Sequence, residues 1–187
     1  MDEDAKKKLE NGLKKIQNNT VALMRLRRAT FCAEQLKLLG DVRGNLRKTE
    51  MFLSLQDSLV VSYASCFASS GEGRATYTPS QVFKDKSDLL ETHKTLMEMR
   101  NNICAHNGND PRLEDSIVKN EHTDKIEISF KIKLTLPSML DINNILKNIE
   151  IVYEYLHNSM KKTAEKLSKE IGKNVTISDA MGQASKS

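Results

Sequence analysis

Apolar residues recur along this chain with two different periods, and the change of period divides it. Over residues 4–39, Leu9, Leu13, Ile16, Val21, Met24 and Phe31 return near every 3.6 residues with lysines and arginines between them, a helical pattern. Gly12 and the run Asn18-Asn19-Thr20 weaken its middle, which predicts either two helices or one bent helix. Gly40, Asp41 and Gly44 mark a break. Residues 45–68 predict a second helix striped by Met51, Leu55, Leu59, Val60, Tyr63 and Phe67. Residues 59–67 are apolar nearly all round, so this helix should be central and buried on several sides. Residues 69–81, with Gly71, Gly73 and Pro79, read as a long loop. A third helix is predicted over 85–106, with Asp85 as its cap, Asp88 in its first turn, and Leu89, Leu90, Leu96, Met97, Ile103 and Cys104 as apolar positions. Asn107-Gly108 and then Pro111 stop it.

The period then falls to two. Ile126, Ile128, Phe130, Ile132 and Leu134 alternate with Glu127, Ser129, Lys131 and Lys133, which predicts a strand with one buried and one wet face. Ile117 and Val118, separated from it by a polar stretch, supply a hairpin partner that should lean on the helices. Pro137-Ser138 with Asp141 resembles a capping box, and a last helix follows to about residue 171. Ile142, Ile145, Leu146, Ile149, Val152, Tyr153, Leu156 and Met160 form its stripe, extended by Ala164 and Leu167. That helix is long for a small domain, so its second half should project or meet another subunit. The expectation is a mainly α fold: one helical domain over 1–172 with a hairpin inserted at about 115–135, then a polar, disordered tail over 173–187.

Composition narrows the class. The chain has 187 residues with a net charge of +4, which permits contact with phosphate without requiring it. Cys32, Cys66 and Cys104 are far apart and flanked by small or apolar residues, so they read as free buried thiols in a reducing compartment. The charged start, with no apolar run after it, reads as lacking a secretory leader. No stretch approaches the roughly 18 continuous apolar residues of a membrane helix. A cytoplasmic protein without membrane contact is expected.

Most common site signatures are missing. Gly71 and Gly73 are not followed by the Lys-Ser or Lys-Thr of a phosphate loop, there is no Gly-x-Ser-x-Gly elbow, and no His or Cys pair has metal spacing. What remains is Arg100-Asn101-Asn102-Ile103-Cys104-Ala105-His106, which puts a cation, two amides and an imidazole at one helix end. There the helix dipole favours a protonated ring on His106, as a general acid requires. Arg100 offers a planar fork of donors for a phosphate, and the amides of Asn101 and Asn102 can orient either group. His93 lies two turns before Arg100 on the same face, as an accessory group. A plain alternative is that these residues merely cap a helix C-terminus. His93 then reads as a surface or satisfied core histidine, and His122 and His157 as turn and helix-face residues. Arg25, Arg27 and Arg28 form a small basic patch that reads as a solvated helix face or a phosphate contact.

The segment Leu96-Met97-Glu98-Met99-Arg100-Asn101-Asn102-Ile103-Cys104-Ala105-His106 resembles the signature of the HEPN superfamily. In that signature an Arg with a polar residue after it precedes a His late in a long helix. Here five residues stand between Arg100 and His106. Tyr63-Ala64-Ser65-Cys66-Phe67 with downstream Gly73-Arg74 is similar to some bacterial members. The resemblance implies a helical bundle of four to five helices with the hairpin as an addition. It also implies a metal-independent endoribonuclease of the toxin or antiphage kind, which needs no cofactor and no metal. Arg100 and His106 would be its catalytic pair, and Asn101 the residue that holds them; Asn102 and His93 are candidate substrate contacts. The ribose 2′-hydroxyl would attack the adjacent phosphate, His106 moving the proton and Arg100 stabilising the added charge. The implied partners are RNA, a second copy completing a composite cleft, and an antitoxin or sensor protein. Some members of the superfamily do not cut RNA, so a non-catalytic nucleotide- or RNA-binding module is the second reading. A helical adaptor built on the long last helix is the third.

Overall fold

In the computed structural model, which describes residues 3–67, 77–105, 113–121, 125–134 and 141–177, the first periodic segment is a single unbroken helix, α1 (Glu3–Leu39). The residues that weaken its middle are used in packing. A Cβ on Gly12 would lie 2.6 Å from both Leu167 methyls, so the glycine allows close approach of the last helix. Asn19 is fully buried, and its Oδ1 accepts from the Tyr77 hydroxyl. Tertiary contact thus outweighs local propensity here.

The side of α1 that is buried also departs from the sequence reading. Leu13, Val21, Met24 and Phe31 are exposed, while Ala22, Leu23, Leu26, Ala29, Cys32, Ala33 and Leu36 form the core face. Small residues predominate there because two helices press against α1. Helix α2 (Leu46–Ala64) starts with Asn45 Oδ1 accepting from the Lys48 N–H and buries Leu59, Val60 and Tyr63 between α1 and α4. A one-turn helix, α3 (Pro79–Val82), occupies the end of the predicted loop, with Pro79 at its first position. Helix α4 (Ser87–Ala105) begins two residues later than expected. Asp85 does not cap it, because its backbone is in the left-handed region at φ 61.

Strands β1 (Leu113–Glu121) and β2 (Ile126–Leu134) pair antiparallel with Ile117 opposite Phe130. The alternation therefore located the strand and its partner correctly. Ile126 and Ile128, expected on a buried face, are instead exposed.

Helix α5 (Ile142–Ile171) agrees most closely with its sequence pattern. Ile145, Ile149, Val152, Leu156, Met160, Ala164 and Leu167 are all buried. Asp141 caps it, accepting from the N–H groups of Asn143 and Asn144; the expected Pro137-Ser138 contribution lies outside the described residues. Replacing Asp141 by Ala should cost about 1 kcal/mol in thermal unfolding experiments. Gly172, at φ 65, ends the helix. Residues 174–177 then return along it, with the Val175 N–H donating to Ser168 Oγ, so the expected polar tail starts with an ordered turn.

Helices α1 and α5 run antiparallel over their whole lengths: Lys37 meets Asn143 at one end and Gly12 meets Leu167 at the other. Helix α2 covers only the later part of α1, with contacts at Ala22, Arg25 and Arg28. Among the described elements, the N-terminal half of α1 and the C-terminal half of α5 therefore continue as a two-helix arm. Among residues 3–18 only Gly12 is buried.

Candidate functional site

Helix α4 carries the motif, and its inner face is set by Leu89, His93 and Leu96, all buried. Arg100 continues that face, seven residues or about two turns after His93. Near the C-terminal end of α4 the core covering thins: Arg100 is half-buried and Ile103 is only partly buried against the core. A guanidinium on the inner side of an amphipathic helix, yet open to solvent, differs from the outward lysines and glutamates of the same helix. Asn101 and Asn102 are exposed. The Asn101 amide oxygen accepts from an Arg100 Nη at 3.2 Å, so the second motif residue holds the first. The helix runs unbroken through Ala105. His106 lies outside the described residues, as do His122 and Gly73-Arg74.

His93 is corrected by the structure. It shares the face of Arg100, but it is 4% exposed and sits in the core. Its Nδ1 lies 2.9 Å from the Tyr63 hydroxyl, and its ring packs edge-on to Phe67 at 4.4 Å and tilted against Phe83 at 5.2 Å. It is therefore a structural residue rather than a substrate contact. Asn148 supports the same region, its Nδ2 donating to the Leu89 carbonyl. Sequence periodicity gives the face of a helix; it carries no information on how deeply each point of that face is covered.

Burial lowers the His93 pKa to about 4 from its ordinary value near 6.5. As the pH falls from 6.5 to about 4, the unfolded chain takes up a proton that the folded chain refuses. The stability that His93 contributes is complete above 6.5 and is lost across that window, a change of order 3 kcal/mol. Urea titrations at pH 7 and pH 4.5 should show this loss in the wild type and a clearly smaller one in His93→Gln.

The arginine patch of α1 is partly engaged within the fold. Arg25 donates to the Ser65 carbonyl at 3.4 Å and Arg28 to Ser58 Oγ at 3.1 Å, so both tie α1 to α2. Cys32 and Cys66 are free and buried, and burial pushes the Cys66 thiol up to about 12. Among the described residues no group of three or more His, Cys, Asp or Glu side chains is placed to hold a metal ion. Nor is any helix among them long and apolar enough to cross a membrane. Two grooves of about 420 and 490 Å³ lie along the arm, and neither includes Arg100, Asn101 or Asn102. No protein-family model, curated protein or solved structure matches the chain.

Proposed function

We propose that this chain is a metal-independent endoribonuclease, similar to HEPN nucleases of the toxin or antiphage kind, in which Arg100 and His106 act on the scissile phosphate. The observation that supports this reading most is the placing of Arg100. It lies on the inner face of α4, open to solvent, with its guanidinium held by Asn101 one turn before the helix ends. One of its N–H groups is engaged by Asn101, and among the described residues no other partner holds the rest of the fork, which suits a tetrahedral anion.

The chemistry follows from the two side chains. Attack of a ribose 2′-hydroxyl on the neighbouring phosphate adds negative charge at phosphorus as it becomes five-coordinate. A fixed guanidinium stabilises that charge more than it stabilises the ground state. His106 transfers the proton, either from the attacking hydroxyl or to the departing 5′-oxygen. A single imidazole cannot start in both states, so a second copy bringing its own histidine to the same cleft would divide the two tasks. The requirement for a 2′-hydroxyl restricts the substrate to RNA.

The reading is tested by incubating the purified chain with single-stranded RNA in the presence of EDTA. Cleavage is expected to persist, and Arg100→Ala is expected to slow it by about 10²–10³-fold. Cleavage that stops with the chelator, or that is indifferent to Arg100→Ala, contradicts the proposal.

A further inference from the structure

The basic excess of this protein is concentrated in its arm. Residues 3–20 and 158–177 hold ten lysines against five carboxylates, a net +5, whereas the whole chain carries +4. The remainder of the molecule is therefore slightly acidic. Within the arm the lysines surround a groove of about 420 Å³ between α1 and α5, lined by Lys8, Lys15, Lys162 and Lys166 with Asn11 and Thr163, and floored by Gly12 and Leu167. Glycine at position 12 sets the form of this groove. It lets the two helices close together over the Leu167 side chain.

The carboxylates nearby do not cancel this charge. Asp4 pairs with Lys8, and Glu170, which itself lines the groove, lies 3.7 Å from Lys166. Lys15 and Lys162 form no ion pair among the described residues. Lys15 and Lys162 therefore leave a positive excess, among the described residues, around an open groove, a field that attracts a linear anion.

We propose that this groove is a binding site for a single-stranded phosphodiester chain, separate from the motif on α4. Lysines one or two helical turns apart on both walls can follow successive phosphates, while the lysine stems can accept the apolar faces of sugar and base. The groove is a furrow between two packed helices, so it admits one strand rather than a duplex. An anionic bilayer fits the surface less well. The exposed Leu13 lies on the opposite side of α1 from Lys15, whereas a membrane-binding face carries its apolar side chains beside its lysines. The inference does not depend on the nuclease reading: binding here needs neither Arg100 nor His106.

The test uses the full chain and a short fluorescein-labelled single-stranded RNA with 2′-O-methyl riboses, which cannot be cleaved by 2′-hydroxyl attack. Affinity is read by anisotropy over a series of salt concentrations. The variant Lys15→Gln/Lys162→Gln/Lys166→Gln should bind at least about tenfold more weakly, and the slope of log K against log salt should fall by about 2. A control, Lys84→Gln/Lys86→Gln/Lys94→Gln, removes the same charge from exposed positions outside the arm and should stay within about twofold of wild type. Equal weakening by both variants would show that only net charge matters and would overturn the site. So would unchanged binding by the arm variant, or binding of the wild type to phosphatidylserine vesicles but not to the RNA. Because the probe cannot be cut, a failed nuclease reading leaves this result intact, and a failed groove leaves the Arg100 cleavage assay intact.

Discussion

Replacing His106 by Ala is expected to reduce RNA cleavage by about 10²–10⁴-fold while leaving the melting temperature close to that of the wild type. The size follows from the role: a positioned proton-transfer group supplies about that factor in a transition state. Arg100→Ala should cost a comparable factor by removing charge stabilisation. The double variant should lose much less than the product of the two factors, because side chains that act on one transition state are not additive. Asn101→Ala offers a finer check. Asn101 bonds Arg100 at 3.2 Å, and in the proposed mechanism it only holds that side chain. Its loss should lower the rate by less than either catalytic change. If Arg100 and His106 only cap α4, their replacement would destabilise the fold by about 1 kcal/mol and leave any RNA cleavage unaltered. Measuring unfolding and cleavage on the same preparations separates the two accounts.

The second large effect concerns the core. Leu26→Ala should cost about 2–5 kcal/mol in urea unfolding, because Leu26 is fully buried between packed helices and its truncation leaves a cavity. Phe31→Ala, on the same helix, should change stability by no more than about 0.5 kcal/mol, since Phe31 is 57% exposed. This ordering is the reverse of what the apolar period of α1 implies, which counted Phe31 in the core stripe and passed over Leu26. A larger loss for Phe31→Ala than for Leu26→Ala would show that α1 is rotated from the orientation described.

That contrast explains what the sequence could and could not convey. In α5 each turn places Ile, Leu, Val or Met on one side, so periodicity and burial coincide and the stripe from Ile145 to Leu167 is right. In α1 the close approach of α2 and α5 selects Gly, Ala and Cys for much of the inner face beside Leu23, Leu26 and Leu36, while Leu13, Val21, Met24 and Phe31 remain outside. A pattern that weights large apolar residues then selects the wrong side. The hairpin shows the same limit. Alternation identifies β2 and its partner, but which face is covered depends on whether another element lies against it, and Ile126 and Ile128 are open.

The site was legible in part for related reasons. A short motif places Arg100 beside Asn101, and the structure joins their side chains. The same helical period that put His93 with Arg100 is geometrically correct. It could not reveal that Tyr63, Phe67 and Phe83 enclose the first while the second lies where the covering ends. The lysine groove escaped the sequence reading altogether. Its walls are about 150 residues apart in the chain and meet only because α1 and α5 pair end to end. The available signal was the charge excess of the two termini against the rest of the chain.

The most direct test of the central claim is the chemical form of the cut ends. RNA digested by the purified wild-type chain in EDTA, with fragments weighed by mass spectrometry, should carry 2′,3′-cyclic phosphates and 5′-hydroxyls. Fragments ending in 3′-hydroxyl and 5′-phosphate, or RNA that stays whole under these conditions, would contradict a 2′-hydroxyl attack directed by Arg100 and His106.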